Sequence, residues 1–344
     1  MKVRHRHGAY PIIFTTLEVA RDAVPHDALV VTDSNLAEVY VEHFRPSIPT
    51  LVVPAGESSK SIEQYARILN WLSHHKAKRN QPIVAFGGGV IGDLVGFVAG
   101  TYMRGVPLIQ IPTSLLAMVD SSVGGKVGID LPQGKNLVGV FKAPDTVYLC
   151  EELLETLPER EFRSGVAEVL KYGFIMDAPL AKDLASRPLL PGDDRLASVL
   201  RTCIQHKAFI VERDEFETTG LRATLNFGHT LGHAIEVLQG YSDWLHGEAI
   251  AVGMVFEAFL AEKLGVAAEG TRDHIEATVT AHRFSSKIPD TLDTDELVEL
   301  MSLDKKARKR ALAFSLVSDI GTCKLVHGVE PDHVRQSLNE FRKS

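Results

Sequence analysis

Cysteine is scarce: Cys150, Cys203 and Cys323 stand far apart, and no two form a CxxC pair. A disulfide framework is therefore not expected, and a reducing compartment, the cytoplasm, is. No apolar run approaches the roughly 20 residues that span a bilayer, and Met1 to Phe14 carries basic residues but no apolar segment like that of a secretory signal. Positive charge is not in excess either. A formal net charge of -7 argues against a general nucleic-acid binder, whose phosphate partner calls for a basic face, although it leaves room for a local basic pocket. Repeats, low-complexity tracts and long linkers are missing too. What is there, 45% hydrophobic and 24% charged residues in 344 positions, is the make-up of a soluble globular protein with length for two domains, each with its own core.

Apolar residues in the first half alternate between two periods. Ala28–Thr32 (ALVVT), Thr50–Val53 (TLVV), Pro82–Phe86 (PIVAF) and Pro107–Ile111 (PLIQI) are short, β-rich runs. Their unbroken apolarity fits strands buried on both faces of a parallel sheet. Between them Ile62, Tyr65, Ala66, Leu69 and Leu72 keep helical spacing, and Ser61 with Gln64 resembles a capping box. The alternation predicts a Rossmann-like α/β domain over residues 1–155, with sites at the carboxyl ends of its strands. From about Glu151 the pattern turns helical, as in Leu196–Val211 and Ala249–Leu264; Arg310–Val317 and Thr322–Val326 read as a hairpin before a final helix. A mainly α-helical domain over 156–344 is expected, with active-site residues in the cleft between the halves.

The densest chemistry lies in Leu225–Glu236 (LNFGHTLGHAIE) and the His246-Gly247-Glu248 just after it. His229 and His233, at i and i+4, project from one helix face about 6 Å apart along the axis. With His246 following a short loop, in a chain poor in cysteine, they point to a catalytic metal site with an open position. Any one of them alone is more simply a core or capping histidine; three beside two glycines and a carboxylate favour the metal. In Glu161–Lys171 (EFRSGVAEVLK), Glu168 and Lys171 at i and i+3 can be an ordinary helical ion pair. If that helix faces the two-histidine helix, Glu168 completes a Glu/His/His set.

Gly87-Gly88-Gly89-Val90-Ile91-Gly92-Asp93 satisfies GxGxxG between a strand and a helix, where backbone N–H groups and a helix N-terminus suit a pyrophosphate. The acidic residue that usually ends a strand about 20 residues later is missing, so Asp33, ending an earlier strand, is the candidate ribose contact. Cations sit in glycine-rich sequence expected to be flexible: Lys126 after Gly124-Gly125, and Lys135 after Gly134. Arg104, Lys171, Lys207, Arg222 and the pair Lys305-Lys306 add to them. Solvation accounts for surface lysines such as Lys305 and Lys306; gathered in one cleft, cations in an acidic protein would hold phosphate or carboxylate.

Together GGGVIGD, RGVPLIQIPTS, VDSSVGGK, GKN, LPERE, AEVLK, DE followed by GLRATLNFGHTLGHAIE, HGEAIAVGM and DKK resemble the 3-dehydroquinate synthases, in order and spacing over nearly the whole chain. The resemblance implies NAD+, a divalent metal (Zn2+ or Co2+) and a homodimer. It implies Glu168, His229 and His246 as metal ligands and moves His233 to a catalytic position facing the substrate. It implies NAD contacts from Asp33, Asn35, Glu57, Lys60, Gly88, Gly89, Val90, Asp93, Thr113, Ser114, Lys126, Lys135, Leu153, Thr156, Leu157 and Glu161. The implied substrate cage is Asp120, Lys126, Lys135, Asn136, Lys171, Lys207, Arg222, Asn226 and Lys306, with Arg104 reaching the phosphate pocket of a neighbouring subunit.

The implied reaction, that of a lyase in the shikimate pathway, turns 3-deoxy-D-arabino-heptulosonate 7-phosphate into 3-dehydroquinate and phosphate by oxidation, elimination, reduction and aldol closure. Its partner is a small molecule, not a nucleic acid or a membrane. Ser114 and Val127 stand where Thr is usual and Met118 where Gln is usual; none of these departures removes a charged catalytic group. The alternative is another sugar-phosphate cyclase of the same superfamily, against which Arg222, Asn226 and His233 favour a carboxylate-bearing substrate. A metal-dependent polyol dehydrogenase would not need the lysine cage, nor a non-catalytic anion-binding protein the full ligand set.

Overall fold

The computed structural model describes residues 1–40, 48–240, 244–303 and 311–344. Two units are distinguished, Met1–Pro158 with Lys207–Glu212, and Glu159–His206 with Arg213–Ser344. The first runs β1 (Lys2–His5), β2 (Gly8–Phe14), α1 (Leu17–Ala23), β3 (Leu29–Asp33), α2 (Ser34–Tyr40), β4 (Thr50–Val53), α3 (Ile62–His74), β5 (Ile83–Gly87), α4 (Gly89–Thr101), β6 (Leu108–Pro112), β7 (Lys126–Leu131), β8 (Gly134–Phe141) and β9 (Thr146–Leu149). The four apolar runs are thus β3 to β6; β3, β5 and β6 are buried along most of their length, as expected of strands covered on both faces, whereas β4 lies at the sheet edge and buries only Val53. The Ser61 hydroxyl accepts the Gln64 N–H at 3.3 Å and opens α3 as its position predicts.

Seven strands form one sheet in the order β1-β2-β9-β6-β5-β3-β4. All neighbours are parallel except β1 on β2. The chain goes outward from β3 to β4, then returns to place β5 on the other side of β3. The strand order therefore reverses between β3 and β5, and the loops after Asp33 and Gly87 leave the sheet side by side. Such a switch point is where open α/β sheets hold their ligands.

Gly124 and Gly125 lie in a bend at φ 106° and 64°, but the two lysines expected in flexible segments are on strands. Lys126 opens β7, and Lys135 and Asn136 lie in β8, an antiparallel pair separate from the main sheet. Gly128 and Gly139 face each other in that register, and a Cβ on either would lie 2.7 or 2.6 Å from the opposite strand's carbonyl oxygen. These two glycines, rather than Gly124, Gly125 or Gly134, are what lets the strands meet. Val127 drops against Gly96 of α4, where an added Cβ would stand 2.4 Å from its side chain. Val127 and Met118, both departures from the family pattern, are buried.

The second unit is mainly helical, as expected: α5 (Glu159–Met176), α6 (Ala178–Ser186), α7 (Leu196–Arg213), α8 (His229–Leu238), α9 (His246–Lys263), α10 (Thr271–Ala281), α11 (Thr294–Leu303), the hairpin β10 (Leu312–Asp319) and β11 (Thr322–Val329), and α12 (Pro331–Phe341). Residues 207–212 of α7 group with the first unit. At the centre, α9 is apolar all round, with Ala249–Phe256 and Ala258 buried, as befits a helix surrounded by others. Against it α8 comes unusually close. Added Cβ atoms would lie 2.7 Å from the Ile250 oxygen at Gly228, 3.0 Å from the Ile250 Cα at Gly232, and 1.9 Å from the Gly228 oxygen at Gly253.

Candidate active site

In the first unit, Asp33, Asn35, Gly88, Gly89, Val90, Thr113 and Ser114 of the expected dinucleotide contacts lie at the carboxyl ends of β3, β5 and β6. Asp33 accepts the N–H groups of Asn35 and Leu36 at 3.0 and 3.1 Å and so caps α2. Burial raises its carboxyl, and those two bonds only partly oppose the rise. Asn35 is exposed in the next turn. Gly88 is the N-cap of α4 without any capping side chain, which leaves the N–H groups of Gly89, Val90 and their neighbours as a helix N-terminus open to an anion. Ser114 lies beside it, its Oγ 3.4 Å from where a Cβ on Gly88 would stand, while accepting the Ala117 N–H at 3.3 Å. Thr113 is buried, its N–H bound to the Gly87 oxygen.

Glu57, Lys60, Asp93 and Lys135 form one network around the Lys60 ammonium, joined by Asp130, which sequence reasoning missed. The Lys60 ammonium is 2.9 Å from Asp93 and 3.8 Å from both Glu57 and Asp130; Lys135 is 3.4 Å from Glu57. Asp130 also accepts the Asn136 N–H at 2.7 Å, which holds Asn136 in its left-handed conformation at φ 55°. Burial lowers the charged form of Lys60, yet three carboxylates overcome it and hold its pKa above the ordinary value. For Glu57 burial is likewise outweighed, here by Lys60 and Lys135, and the carboxyl sits low.

The remaining first-unit positions are more dispersed. Lys207 places its ammonium 2.6 Å from Asp120. Lys126 is exposed at the start of β7. Leu153 is buried, Thr156 is exposed with its hydroxyl 2.9 Å from that of Tyr40, and Leu157 closes a turn onto the Leu154 oxygen. Arg104 is exposed on a turn after α4, where Met103 and Arg104 both take positive φ, 49° and 65°. Backbone of that kind costs about 1–3 kcal/mol per residue and marks a segment held for a reason.

In the second unit Glu168, His229 and His246 present ligand atoms within 4.8 Å of one another. Glu168 lies buried on α5; each histidine begins its helix, α8 and α9. Both Nε2 atoms are 3.2 Å from the same oxygen, Oε1 of Glu168. The Nδ1 atom of His229 is 3.1 Å from the Phe227 oxygen. A carbonyl only accepts, so Nδ1 carries the proton and the neutral ring turns a lone pair on Nε2 toward a carboxylate oxygen. Two lone pairs facing at that distance call for a cation between them. On His246, Nδ1 lies 3.5 Å from Glu236, a carboxylate behind the imidazole of the kind that orients metal ligands.

Electrostatics agree with that reading. Burial and the Lys171 ammonium push His229 down to about 4, against the pull of Glu168. On His246 burial is overcome by Glu236 and Glu168, and its pKa is pushed up to about 10. Burial alone would raise Glu168, but Lys171 and the two histidines hold it well below the usual range. The donor set, two imidazoles and one carboxylate with room for further ligands, fits zinc or cobalt. His233, Glu236 and His246 make a second possible group. It competes for His246, whose Nδ1 already faces Glu236, while exposed His233 has its ring 5.2 Å from that of His229.

Arg222 is buried, its N–H donating to Asp214 at 2.9 Å and its guanidinium to the Glu215 oxygen at 2.5 Å. Asn226 is exposed at the end of the same turn, and Glu161 is exposed in the first turn of α5. Lys305 and Lys306 lie outside the described residues. Besides Asp130, sequence reasoning passed over Asp214 as a role-bearing residue, naming it only within a motif, and gave Glu257 no part. Asp214 sat in a recognisable DE pair, whereas Glu257 falls in an apolar helix with nothing to announce it.

Family models for the N-terminal and C-terminal parts of 3-dehydroquinate synthase match residues 50–164 and 165–307. The 3-dehydroquinate synthase of Acidithiobacillus ferrooxidans is 43% identical over 349 residues, covering 97% of this chain and 95% of that one. The 3-dehydroquinate synthase of Opitutus terrae is 43% identical over 92% of this chain and 91% of its own. Among solved structures, 2-deoxy-scyllo-inosose synthase in complex with carbaglucose-6-phosphate, NAD+ and Co2+ superposes with a TM-score of 0.86 at 26% identity, over 99% of both chains. A 2-epi-5-epi-valiolone synthase from Streptomyces hygroscopicus, with NAD+ and Zn2+ bound, shares the fold at a TM-score of 0.88 and 24% identity, over 99% of this chain and 98% of that one. With both family models and such relatives spanning almost its whole length, the chain belongs to the 3-dehydroquinate synthase family.

Proposed function

We propose that this chain converts 3-deoxy-D-arabino-heptulosonate 7-phosphate into 3-dehydroquinate and phosphate, acting as a lyase with NAD+ and a divalent metal. The observation that carries the reading is identity of 43% with 3-dehydroquinate synthases over nearly the full chain, against 26% with a cyclase of another substrate. In this reading the domain of residues 1–155 binds NAD+, that of 156–344 holds metal and substrate, and the enzyme works as a cytoplasmic homodimer.

Glu168, His229 and His246 would hold the metal, Zn2+ or Co2+. When bound, the metal supplies Lewis acidity toward a substrate hydroxyl and NAD+ a reversible hydride acceptor. The chain's own residues do the rest. The helix N-terminus at Gly88 to Val90 receives the pyrophosphate, and Asp33 accepts from a ribose hydroxyl. Asp93, Glu57 and Asp130 keep Lys60 in place, and Lys135 pairs with Glu57. Asp120, Lys126, Asn136, Lys171, Lys207, Arg222, Asn226, His233 and Lys306 would bind the substrate. Arg222 suits the carboxylate, because a planar guanidinium engages both oxygens. His233, exposed beside the ligand histidines, is placed to carry a proton to or from the substrate.

Phosphate release from the heptulosonate phosphate tests the reading, with NAD+ well below substrate and either zinc or cobalt supplied. Many turnovers per NAD+ without accumulating NADH are expected. One NADH per product would make the chain a simple dehydrogenase, and preference for a heptulose phosphate lacking the carboxylate would make it another cyclase.

A further inference from the structure

The helix that begins at His229 has no cap of its own. Its N-cap is Gly228, which has no side chain and sits at φ 82°. The first N–H groups of any helix lack intrahelical acceptors, and a local Ser, Thr, Asp or Asn usually supplies one. Here a residue from another helix does so. Glu257 of α9, fully buried, accepts the Gly228 N–H on Oε2 at 2.7 Å and the Thr230 N–H on Oε1 at 3.1 Å. One carboxylate thus binds the N–H groups of the two residues on either side of His229. It reaches them because Gly228, Gly232 and Gly253 bring the backbones of α8 and α9 together.

We propose that Glu257 is a positioning residue for His229, setting the direction of its imidazole toward Glu168 and hence the affinity and geometry of the metal site; this rests on the reading of Glu168, His229 and His246 as ligands. Helix α9 carries His246 at its first residue and Glu257 about three turns later. A single rigid element therefore sets both imidazoles, His246 through its own backbone and His229 through Glu257. The Phe227 oxygen that receives the His229 Nδ1 proton lies in the peptide group whose N–H donor, Gly228, Glu257 binds. Ring tautomer and ring direction are therefore tied to the same carboxylate.

The test uses the full-length protein loaded with Co2+, and compares Glu257→Gln with the native chain. The amide keeps the shape but offers one acceptor oxygen, so one of the two N–H groups faces an NH2. We expect cobalt to dissociate about 10–100-fold more readily in competition with a chelator, the range usual when a ligand's supporting partner is lost, and its d–d absorption to shift. Glu257→Asp retains the charge but is one methylene too short to span both N–H groups, and it should also weaken binding. Affinity and spectrum unchanged in Glu257→Gln, with only the melting temperature lowered, would mean a merely structural cap. Full recovery in Glu257→Asp would mean a plain charge effect. Should Glu257→Gln not fold, native cobalt affinity in Glu257→Asp overturns the proposal by itself. In parallel, His229→Ala should lose tight cobalt binding; if it does not, the ligand reading fails and the role of Glu257 with it.

Discussion

Glu236 stands 3.5 Å behind Nδ1 of His246 and leaves Nε2 of that ring to face Glu168. The carboxylate is almost wholly buried, so it has little competition from water for the imidazole proton. Replacing it by Gln keeps an acceptor but removes the charge that makes His246 a stronger donor to a metal. Glu236→Gln is expected to weaken zinc binding about 10–100-fold, measured by chelator competition, with little change in the circular dichroism of the helices. Native affinity in that variant would remove Glu236 from the site.

Asp214 organises the approach to Arg222 by accepting the N–H groups of Thr218, Thr219 and Arg222 at 2.7, 3.1 and 2.9 Å. Burial tends to raise its carboxyl, but those bonds prevail and bring it down to about 2. A carboxyl held below its unfolded value near 3.9 stabilises the fold at higher pH and loses that contribution as pH falls from about 4 through about 2. At neutral pH the contribution is at most about 2.6 kcal/mol. Asp214→Asn should therefore lower stability at pH 7 by that order in urea unfolding, and the gap to the native chain should shrink toward pH 2. A gap independent of pH would dissociate the loss from the charge.

Arg222→Ala removes a buried guanidinium for which Asp214 and Glu215 build the turn. A charge-assisted hydrogen bond to a substrate carboxylate is worth roughly 1.5–3 kcal/mol, so kcat/KM should fall at least about tenfold. The same variant should show no loss of cobalt affinity. A kcat/KM within twofold of native would place the substrate carboxylate elsewhere.

Arg104 is exposed on a strained turn, which suits a residue serving a neighbouring subunit. If it acts in trans and Lys126 in cis, mixing inactive Arg104→Ala and Lys126→Ala after reversible dissociation gives dimers with one intact site. Activity should return in the mixture and remain absent in each parent alone. Mixed dimers confirmed by mass but still inactive would assign Arg104 to its own subunit or to no site.

The local patterns carried the parts of this molecule that depend on neighbours in the chain. Continuous apolar runs became β3 to β6, Ser61 opened α3, and Gly87 to Asp93 made a strand-to-helix turn, because backbone propensity and burial on both faces are written in consecutive residues. From residue spacing the grouping of Glu168 with two histidines was legible only as a condition, that one helix should face another, and only the family resemblance named His229 and His246. The structure meets that condition with His229 and His246, whereas the i, i+4 partner His233 remains exposed. Residues beyond the reach of pattern were those whose partner is distant in sequence. Asp130 joins Lys60 across about 70 positions, and Glu257 caps a helix that starts nearly 30 residues earlier. Tertiary packing also qualified one local signal, since Lys126 and Lys135, expected in flexible segments, lie on a tight strand pair that Gly128 and Gly139 allow. Sequence by itself determined which groups were available and on what elements. Packing of α9 against α8 and α5 decided which of them meet, because a hydrogen bond or a ligand set depends on distances that no one-dimensional spacing contains.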